Sequence, residues 1–244
     1  MRKALITGAN KGIGYEVAKQ LLQKGYFVYL GCRDIKNGEK AVNKLQEEEL
    51  GNVKAINLDV TKDESVSQAL DKISSKTEVL DILINNAGIS GGLPQTALGA
   101  TAEQFKKVFD TNVIGVTRVT QAFIDLLKNS DAPRIVNVSS GQGSLEIATD
   151  VTSPYYHHKG AVYQPSKSAL NMYTVILAYE LKDTNFKINA VCPGFTKTDF
   201  NNLRGTGTVF DAGKRIIKYA LLDDNGPTGQ YFCEELYPED NCPW

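Results

Sequence analysis

Apolar residues recur along this chain in short runs, separated by longer amphipathic stretches. The runs are residues 3–7, 26–32, 53–58, 81–85, 134–139, 187–192 and 229–234. Near-continuous apolar runs are typical of strands that are covered on both faces. In the stretches between them, apolar residues return every three or four positions, as Val17, Leu21 and Leu22 do, which predicts helices with one buried face.

Alternating strands and helices predict a parallel sheet, because parallel strands need long crossover connections. We therefore expect an α/β fold, a doubly wound parallel sheet of about seven strands with helices on both faces. The runs extend over the whole chain, so we predict a single domain over residues 1–244. Such sheets bind ligands at the carboxyl ends of their strands. Candidate functional residues should therefore follow each apolar run.

A glycine-rich segment, "TGANKGIG" (7–14), follows the first run and opens the first predicted helix. Gly8, Gly12 and Gly14 are spaced GxxxGxG rather than in the usual GxGxxG dinucleotide pattern. Glycines still allow a tight turn and a close backbone approach, and a helix N-terminus offers unpaired N–H groups to a pyrophosphate. The alternative is a glycine-rich turn that only connects strand to helix.

The residues after the second run bear on which dinucleotide is bound. A carboxylate there would hold the ribose diol of NAD, whereas an arginine accommodates the 2′-phosphate of NADP. The run ends in Cys32 and is followed by Arg33, and Lys11 in the glycine loop is a second cation. These cations favour NADP(H). Two alternatives stay open: both cations could be solvated surface charges, or Asp34 could bind the ribose while Arg33 turns outward.

The segment "SPYYHHKGAVYQPSK" (153–167) contains the main candidates for acid–base chemistry. Tyr163 and Lys167 are four residues apart, so both project from one face of a helix. An ammonium beside a phenol lowers the pKa of the phenol, as a catalytic tyrosine requires near neutral pH. A lone YxxxK motif is weak evidence, however. His157 and His158 lack other ligands at metal spacing, so we expect solvated loop histidines and no metal site.

Composition excludes some functions. The chain has 27 basic and 28 acidic side chains, so no basic surplus favours nucleic acid. Apolar residues make up 42% and charged residues 23%, as is ordinary for a globular protein. No run reaches the length of a signal-peptide core or a membrane span. The four cysteines form no CxxC pair, which favours reduced thiols and a cytoplasmic location without membrane attachment.

Taken together, the motifs resemble the short-chain dehydrogenase/reductase family in its classical form. They are "TGANKGIG" (7–14), "NNAG" (85–88), "NVIG" (112–115), "NVSS" (137–140), "YQPSK" (163–167) and "PGFTKT" (193–198). The resemblance extends over essentially the whole chain and is nearest to NADPH-dependent carbonyl reductases. It implies a Rossmann-like fold and hydride transfer from NADPH to the carbonyl of a small ketone or aldehyde.

The resemblance also implies residue roles. Tyr163 would donate the proton, Lys167 would lower the pKa of Tyr163 and hold the nicotinamide ribose, and Ser140 would hydrogen-bond the substrate carbonyl. Asn112 would fix the helix that carries it and anchor a water in a proton relay. Thr196 and Thr198 would hold the nicotinamide carboxamide, and Asp59, after the third run, could accept a hydrogen bond from the adenine. The full predicted cofactor set is Gly8, Asn10, Lys11, Gly12, Ile13, Gly14, Arg33, Asp59, Val60, Asn86, Ala87, Gly88, Tyr163, Lys167, Pro193, Gly194, Thr196 and Thr198.

The chain departs from the family pattern between Ser140 and Tyr163. About ten residues more than in most classical members lie there, approximately "ATDVTSPYYHH" (148–158). This insert can cover the surface used by the family's tetramer, so we expect a monomer or a homodimer. Tyr155 and Tyr156 could line the substrate pocket or simply pack the loop. The pocket segments, 90–98, 141–160 and 199–215, leave the substrate unidentified.

Three functions compete on this sequence. An NADPH-dependent reductase of ketones or aldehydes is the preferred interpretation. The alternative is another enzyme of the family, either an alcohol dehydrogenase or a 3-oxoacyl thioester reductase, for which Lys159, Lys197 and Arg204 could form a basic entrance. The least favoured is a non-catalytic NADPH sensor, because such proteins typically lack the Tyr/Lys pair that this chain has.

Overall fold

The computed structural model describes residues 1–238 and 241–244, and its elements follow the predicted alternation. The strands are β1 (Lys3–Thr7), β2 (Phe27–Cys32), β3 (Val53–Asn57), β4 (Ile82–Asn85), β5 (Arg134–Val138), β6 (Lys187–Val191) and β7 (Gln230–Phe232). The helices are α1 (Gly12–Gln23), α2 (Ile35–Glu47), α3 (Asp63–Ser74), α4 (Ala102–Phe109), α5 (Gly115–Lys128), α6 (Leu145–Thr149), α7 (Tyr163–Glu180) and α8 (Val209–Ala220).

The strands form one sheet in the order β3-β2-β1-β4-β5-β6-β7, and every neighbouring pair is parallel. The chain first builds outward from β1 to β3 and then restarts beside β1 with β4. The order of strands therefore reverses between β1 and β4, which is where such sheets bind ligands. The predicted doubly wound parallel sheet is confirmed.

Successive residues of each strand face opposite layers of helices. On β1, Ala4 and Ile6 pack with buried residues of α1, α2 and α8, whereas Leu5 packs with those of α3, α5 and α7. All three side chains are fully buried. Burial on both faces explains why the strand sequences are continuously apolar rather than alternating.

A smaller buried cluster lies beyond the carboxyl ends of β6 and β7. It joins Ile147 of α6 to Cys192, Cys233 and Cys242, and all three thiols are free. Trp244 extends the contact, since its carbonyl accepts hydrogen bonds from the backbone N–H groups of residues 145 and 146. The C-terminal residues are therefore packed against α6 and against Tyr155 of the insert. Within the described ranges, no helix combines the length and apolarity that a membrane crossing needs.

Candidate active site

A cleft with a cavity volume of about 1140 Å³ runs along the carboxyl ends of the strands. Every residue predicted to be catalytic or to bind the cofactor lines it, except Asn112, which is fully buried behind its wall. The lining residues from that set are Gly8, Asn10, Lys11, Gly12, Ile13, Gly14, Arg33, Asp59, Val60, Asn86, Ala87, Gly88, Ser140, Tyr163, Lys167, Pro193, Gly194, Thr196 and Thr198. The structure thus brings together motifs that are far apart in the sequence.

Local backbone geometry explains each glycine of the glycine-rich loop. Gly8 and Gly12 have φ angles of 64° and 58°, in the left-handed region that favours glycine. A Cβ on Gly14 would lie 2.5 Å from Asn86 Nδ2 and 2.7 Å from Gly8 O. The unusual spacing therefore serves the same tight turn and close packing as the standard pattern.

The N-terminus of α1 is open toward the cleft. Its N-cap residue, Lys11, makes no side-chain capping bond, and the first turn contains no acidic residue. The backbone N–H groups of a first helical turn lack intrahelical acceptors, and here Gly12, Ile13 and Gly14 line the cleft. Uncapped donors at the positive end of the helix fit the pyrophosphate of a dinucleotide.

The "NNAG" segment is tied to the glycine loop by side-chain bonds. Asn86 Nδ2 donates to the carbonyl oxygens of Thr7 and Gly8 at 2.9 and 3.1 Å. The Thr7 hydroxyl in turn accepts from the backbone N–H groups of Asn86 and Ala87 at 3.0 and 2.9 Å. These bonds join the ends of β1 and β4, so the floor of the cleft is held by directional contacts.

Asp34 is engaged by its own helix. Its carboxylate caps α2 by accepting from the backbone N–H groups of Lys36 and Asn37 at 2.9 and 3.4 Å, and from Asn37 Nδ2 at 2.9 Å. Arg33, by contrast, lines the cleft, and within residues 1–238 and 241–244 it makes no ion pair. A free guanidinium beside an occupied carboxylate fits the 2′-phosphate of NADP(H).

Lys11, the second predicted cation, has a partner of its own. Its Nζ lies 2.8 Å from Asp199 Oδ2, which joins the glycine loop to the segment after β6. Both side chains are about two-thirds exposed, at 66% and 67%. Exposed ion pairs contribute about 0–1 kcal/mol, so exchanging this carboxylate for a phosphate costs little.

Asp59 keeps one carboxylate oxygen available. Its Oδ1 accepts from the Thr61 backbone N–H at 3.0 Å and from the Thr61 hydroxyl at 2.7 Å. Oδ2 has no hydrogen-bond donor among the described residues. The orientation of the carboxylate is therefore held at one oxygen, while the other remains able to accept a hydrogen bond such as that of an adenine amino group.

Tyr163, Ser140 and Lys167 converge at the centre of the cleft. Tyr163 is the first residue of α7 and Pro165 lies in its first turn, where the lost N–H is tolerated. The Ser140 hydroxyl lies beside the phenol. One turn further on, Lys167 Nζ donates to Val138 O at 2.7 Å and lies 5.8 Å from the Tyr163 ring centroid.

Burial dominates the protonation of this pair. It raises the pKa of Tyr163 above its ordinary value, while the neighbouring Ser140 side chain lowers it by less. Burial also lowers the pKa of Lys167 to about 8. Burial, rather than the neighbouring ammonium, therefore decides the direction of the shift in the phenol pKa. Tyr163 is thus held as a neutral phenol, the form that can donate a proton.

Asn112 acts on α7 from behind the cleft. It lies in a π-helical turn between α4 and α5, and its side chain exchanges two hydrogen bonds with the backbone of Ile89, at 2.9 and 3.0 Å. Its Nδ2 also donates to Ser166 Oγ at 3.0 Å. The loop after β4 is thereby fixed to the first turn of α7, next to Tyr163.

The segment after β6 folds over the other side of the cleft. Gly194 has a φ angle of 84°, and its carbonyl accepts from the Thr196 backbone N–H at 2.9 Å. Arg215 Nη1 donates to the Pro193 carbonyl at 2.8 Å. Thr198 approaches the glycine loop, since a Cβ on Gly12 would lie 3.6 Å from its Cγ2.

The insert contributes Tyr155 to the cleft, and Tyr156 does not line it. The Tyr155 hydroxyl donates to Glu235 Oε2 at 2.5 Å. His157 and His158 also line the cleft. In the part of the chain that the structure describes, no group of three or more ligating side chains could hold a metal ion.

Three residues at this site escaped the sequence reasoning. Phe200 lies within the expected pocket segment 199–215 and packs against Tyr163, with ring centroids 5.5 Å apart. Cys192 Sγ accepts from the backbone N–H groups of Gly141 and Gly194, and Glu235 bonds Tyr155. Cys192 and Glu235 follow β6 and β7, so examining every strand end would have found both. No motif marks Phe200.

The chain is similar to several known proteins. The family model described as short chain dehydrogenase matches residues 2–207. The chain is 33% identical to salutaridine reductase of Papaver bracteatum, over 97% of this chain and 96% of that protein. It is 34% identical to (+)-neomenthol dehydrogenase of Capsicum annuum, over 95% of each. The NADPH-bound carbonyl reductase from chicken fatty liver superposes with a TM-score of 0.85 at 28% identity, covering 100% of this chain and 99% of that one.

Proposed function

This chain belongs to the short-chain dehydrogenase/reductase family and is an NADPH-dependent carbonyl reductase, and we propose that Tyr163, Ser140, Lys167 and Asn112 carry its chemistry. The observation that carries the assignment is the convergence of a buried neutral phenol, a hydroxyl beside it and a buried amine in the cleft. A sensor that only binds the cofactor has no use for this arrangement.

Each of these four residues has a separate role in carbonyl reduction. The hydride would come from NADPH when it is bound in the cleft. Ser140 donates a hydrogen bond to the carbonyl oxygen and stabilises the negative charge that develops there. Tyr163 transfers its phenolic proton to the same oxygen, which completes the alcohol. Lys167, bonded to Val138 O, holds positive charge beside the phenol, and Asn112 keeps α7 in place through Ser166.

We further propose a substrate with a bulky apolar body. Phe200 and Leu203 line the cleft although they are 44% and 55% exposed, and Leu93, which also lines it, is 89% exposed. Exposed apolar side chains that rim a polar reaction centre favour a ligand that covers them. The named ligands of the two relatives, salutaridine and neomenthol, are consistent with this class.

A 3-oxoacyl thioester reductase is the second candidate. Lys159, Lys197 and Arg204 line the cleft and could meet an anionic carrier. Two of them are engaged within the chain, however. Lys159 Nζ donates to Ala148 O and lies over the Tyr156 ring, and Arg204 Nε donates to Asn201 O at 3.0 Å. This weakens the case for a carrier site.

A substrate panel tests these proposals. NADPH oxidation should be fastest with cyclic or aromatic ketones, slower with short-chain aldehydes, and slowest with 3-oxoacyl thioesters. A preference for the thioesters would replace the first candidate by the second. NADP⁺ reduction by the matching alcohols, measured alongside, establishes which direction the enzyme favours and so tests the alcohol dehydrogenase alternative.

Compartment, domain count and assembly are also proposals. The four free, buried cysteines support a reducing compartment, the cytoplasm. A single sheet from Lys3 to Phe232 supports one domain. A monomer or a homodimer follows from the insert, and light scattering on the purified protein at several concentrations distinguishes these states from a tetramer.

A further inference from the structure

Glu235 connects two segments that line the cleft and are far apart in the sequence. It follows β7, and its Oε2 accepts from the Tyr155 hydroxyl at 2.5 Å. Its two carboxylate oxygens also lie 3.1 and 3.2 Å from the backbone N–H of Phe195, which donates to them. Tyr155 and Phe195 are 80 and 40 residues away from Glu235 along the chain. We refer to this set, Tyr155–Glu235–Phe195, as the Glu235 bridge.

On the substrate side, the bridge reaches the backbone next to Ser140. A Cβ on Gly141 would lie 3.6 Å from Cε2 of Tyr155, so the tyrosine ring packs against the residue that follows the catalytic serine. Tyr155 also lines the cleft. Displacing its ring would therefore change both the substrate wall and the support of Ser140.

On the cofactor side, the bridge holds the segment expected to contact the nicotinamide. Phe195 lies between Gly194 and Thr196 and directly precedes the threonine predicted to bind the carboxamide. The bond uses the backbone N–H, so it constrains the path of the chain rather than one side chain. Any movement of this segment is passed to the carboxylate.

The bonds of the bridge are of the stronger kind. Hydrogen bonds to a carboxylate are shorter and stronger than neutral ones. Burial raises the pKa of Tyr155, and the hydrogen bond with Glu235 raises it further, so the phenol stays a donor. The geometry therefore favours one arrangement, in which both segments move with Glu235.

We propose that Glu235 is a positioning residue that couples the two halves of the cleft, so that NADPH binding orders the substrate wall through Phe195, Glu235 and Tyr155. The two ligands would then bind cooperatively. The identity of the ligands rests on the proposed function, but the coupling itself does not require turnover.

Hydrogen exchange on the full chain tests the coupling directly. NADPH should slow amide exchange in residues 193–198 and also in residues 150–158 of the wild-type protein. In Tyr155→Phe, which loses only the hydroxyl, protection of 193–198 should persist and protection of 150–158 should be lost. Tyr156→Phe is the matched control and should behave as wild type. The proposal is overturned if NADPH does not slow amide exchange in residues 150–158 of the wild type, or slows it equally in Tyr155→Phe.

Kinetics give a second test. Tyr155→Phe should raise the ketone KM about tenfold while kcat changes less than about twofold, as expected when a charge-assisted hydrogen bond that supports binding is lost. Glu235→Ala should raise both the ketone KM and the NADPH Kd. Glu235→Gln should restore both, because its amide can accept from Phe195 and donate to the Tyr155 oxygen.

The double variant Tyr155→Phe/Glu235→Ala should raise the ketone KM no further than Glu235→Ala alone, since the two residues act through one contact. Additive effects would contradict the bridge, and thermal unfolding verifies that each variant is folded. A wild-type enzyme that binds NADPH but reduces no carbonyl would count against the proposed function, whereas the exchange data would still decide the coupling.

Discussion

The two sides of the cleft are held by different kinds of contact. The cofactor side is built at the ends of the adjacent strands β1 and β4, where Thr7, Gly8 and Asn86 bond one another. On the substrate side, the bonds reach the insert and the C-terminal residues, which lie outside the sheet. Tyr155 bonds Glu235, and Ser144 donates to the Trp244 carbonyl 100 residues away.

This difference has a consequence for function. Bonds between neighbouring strand ends depend on the sheet, so the cofactor side changes little unless the sheet does. Long-range contacts between loops can be replaced without disturbing the sheet, which is how one scaffold serves many substrates. Variants on the cofactor side should therefore alter cofactor choice or chemistry, and those on the substrate side should alter substrate KM.

Tyr163 lies where the two sides meet, and its loss should have the largest effect. Tyr163→Phe removes the transferable proton but keeps the ring, so kcat should fall about 10²- to 10⁴-fold. NADPH Kd, measured by fluorescence titration, should change little. Tyr156→Phe is the control and should keep full turnover. Retention of most activity by Tyr163→Phe at saturating cofactor would refute the assignment.

The cofactor side could be predicted from sequence because its requirements are local. A backbone angle or a close contact near a strand end explains each of the glycines Gly8, Gly12 and Gly14. The position of Arg33 follows from where β2 ends. Asp34 was ambiguous because its capping role depends on where α2 begins, and helix boundaries are the least certain part of sequence reasoning.

The contacts on the substrate side could not be predicted because the tertiary fold determines which residues meet there. No local pattern pairs Tyr155 with Glu235 or places Phe200 against Tyr163. The protonation of Tyr163 could not be predicted for a related reason. Tyr163 and Lys167 share one face of α7, but burial, which the spacing does not reveal, raises the pKa of Tyr163 and lowers that of Lys167.

Cofactor choice should show the next largest effect. The 2′-phosphate carries nearly two negative charges, and hydrogen bonds to charged groups contribute about 1.5–3 kcal/mol each, so wild type should prefer NADPH over NADH by about 10- to 1000-fold. Arg33→Asp puts a carboxylate against that phosphate, and the preference should collapse or reverse, mainly through the cofactor KM. Raised salt should weaken the wild-type preference. An unchanged preference in Arg33→Asp would show that Lys11 or another group selects the cofactor.

The pH profile distinguishes the two titrating groups of the centre. The pKa of Lys167 is lowered to about 8, so the amine loses its charge as pH rises through that value, while the raised pKa of Tyr163 keeps the phenol protonated. Carbonyl reduction should therefore be constant below about pH 8 and fall up to about tenfold per pH unit above it. Arginine stays charged in this range, so the residual activity of Lys167→Arg should not fall above about pH 8. If the activity of Lys167→Arg fell in the same way, a group other than Lys167 would be responsible for the fall.

On the substrate side, Phe200→Ala should have a moderate effect confined to the ketone. Aromatic contacts are worth about 0.5–1.5 kcal/mol beyond the area they bury, so the KM for an aromatic ketone should rise about threefold to tenfold. NADPH Kd should not change, and a small aliphatic ketone serves as the control substrate. A rise in NADPH Kd instead would place Phe200 on the cofactor side of the comparison.

The smallest expected effect separates Asp34 from Arg33. Because Asp34 caps α2 through the backbone N–H groups of Lys36 and Asn37, Asp34→Ala should lower the free energy of unfolding by about 1 kcal/mol. Asn is an equally good N-cap, so Asp34→Asn should recover that stability although it removes the charge. Neither variant should alter the NADPH/NADH ratio of kcat/KM by more than about twofold, since a carboxylate engaged by its helix has no ribose to select. Denaturant titrations and steady-state kinetics with both cofactors measure the two quantities on the same preparations. If both variants shifted the cofactor ratio while stability stayed constant, the carboxylate would face the ribose, and cofactor choice would depend on Asp34 rather than Arg33.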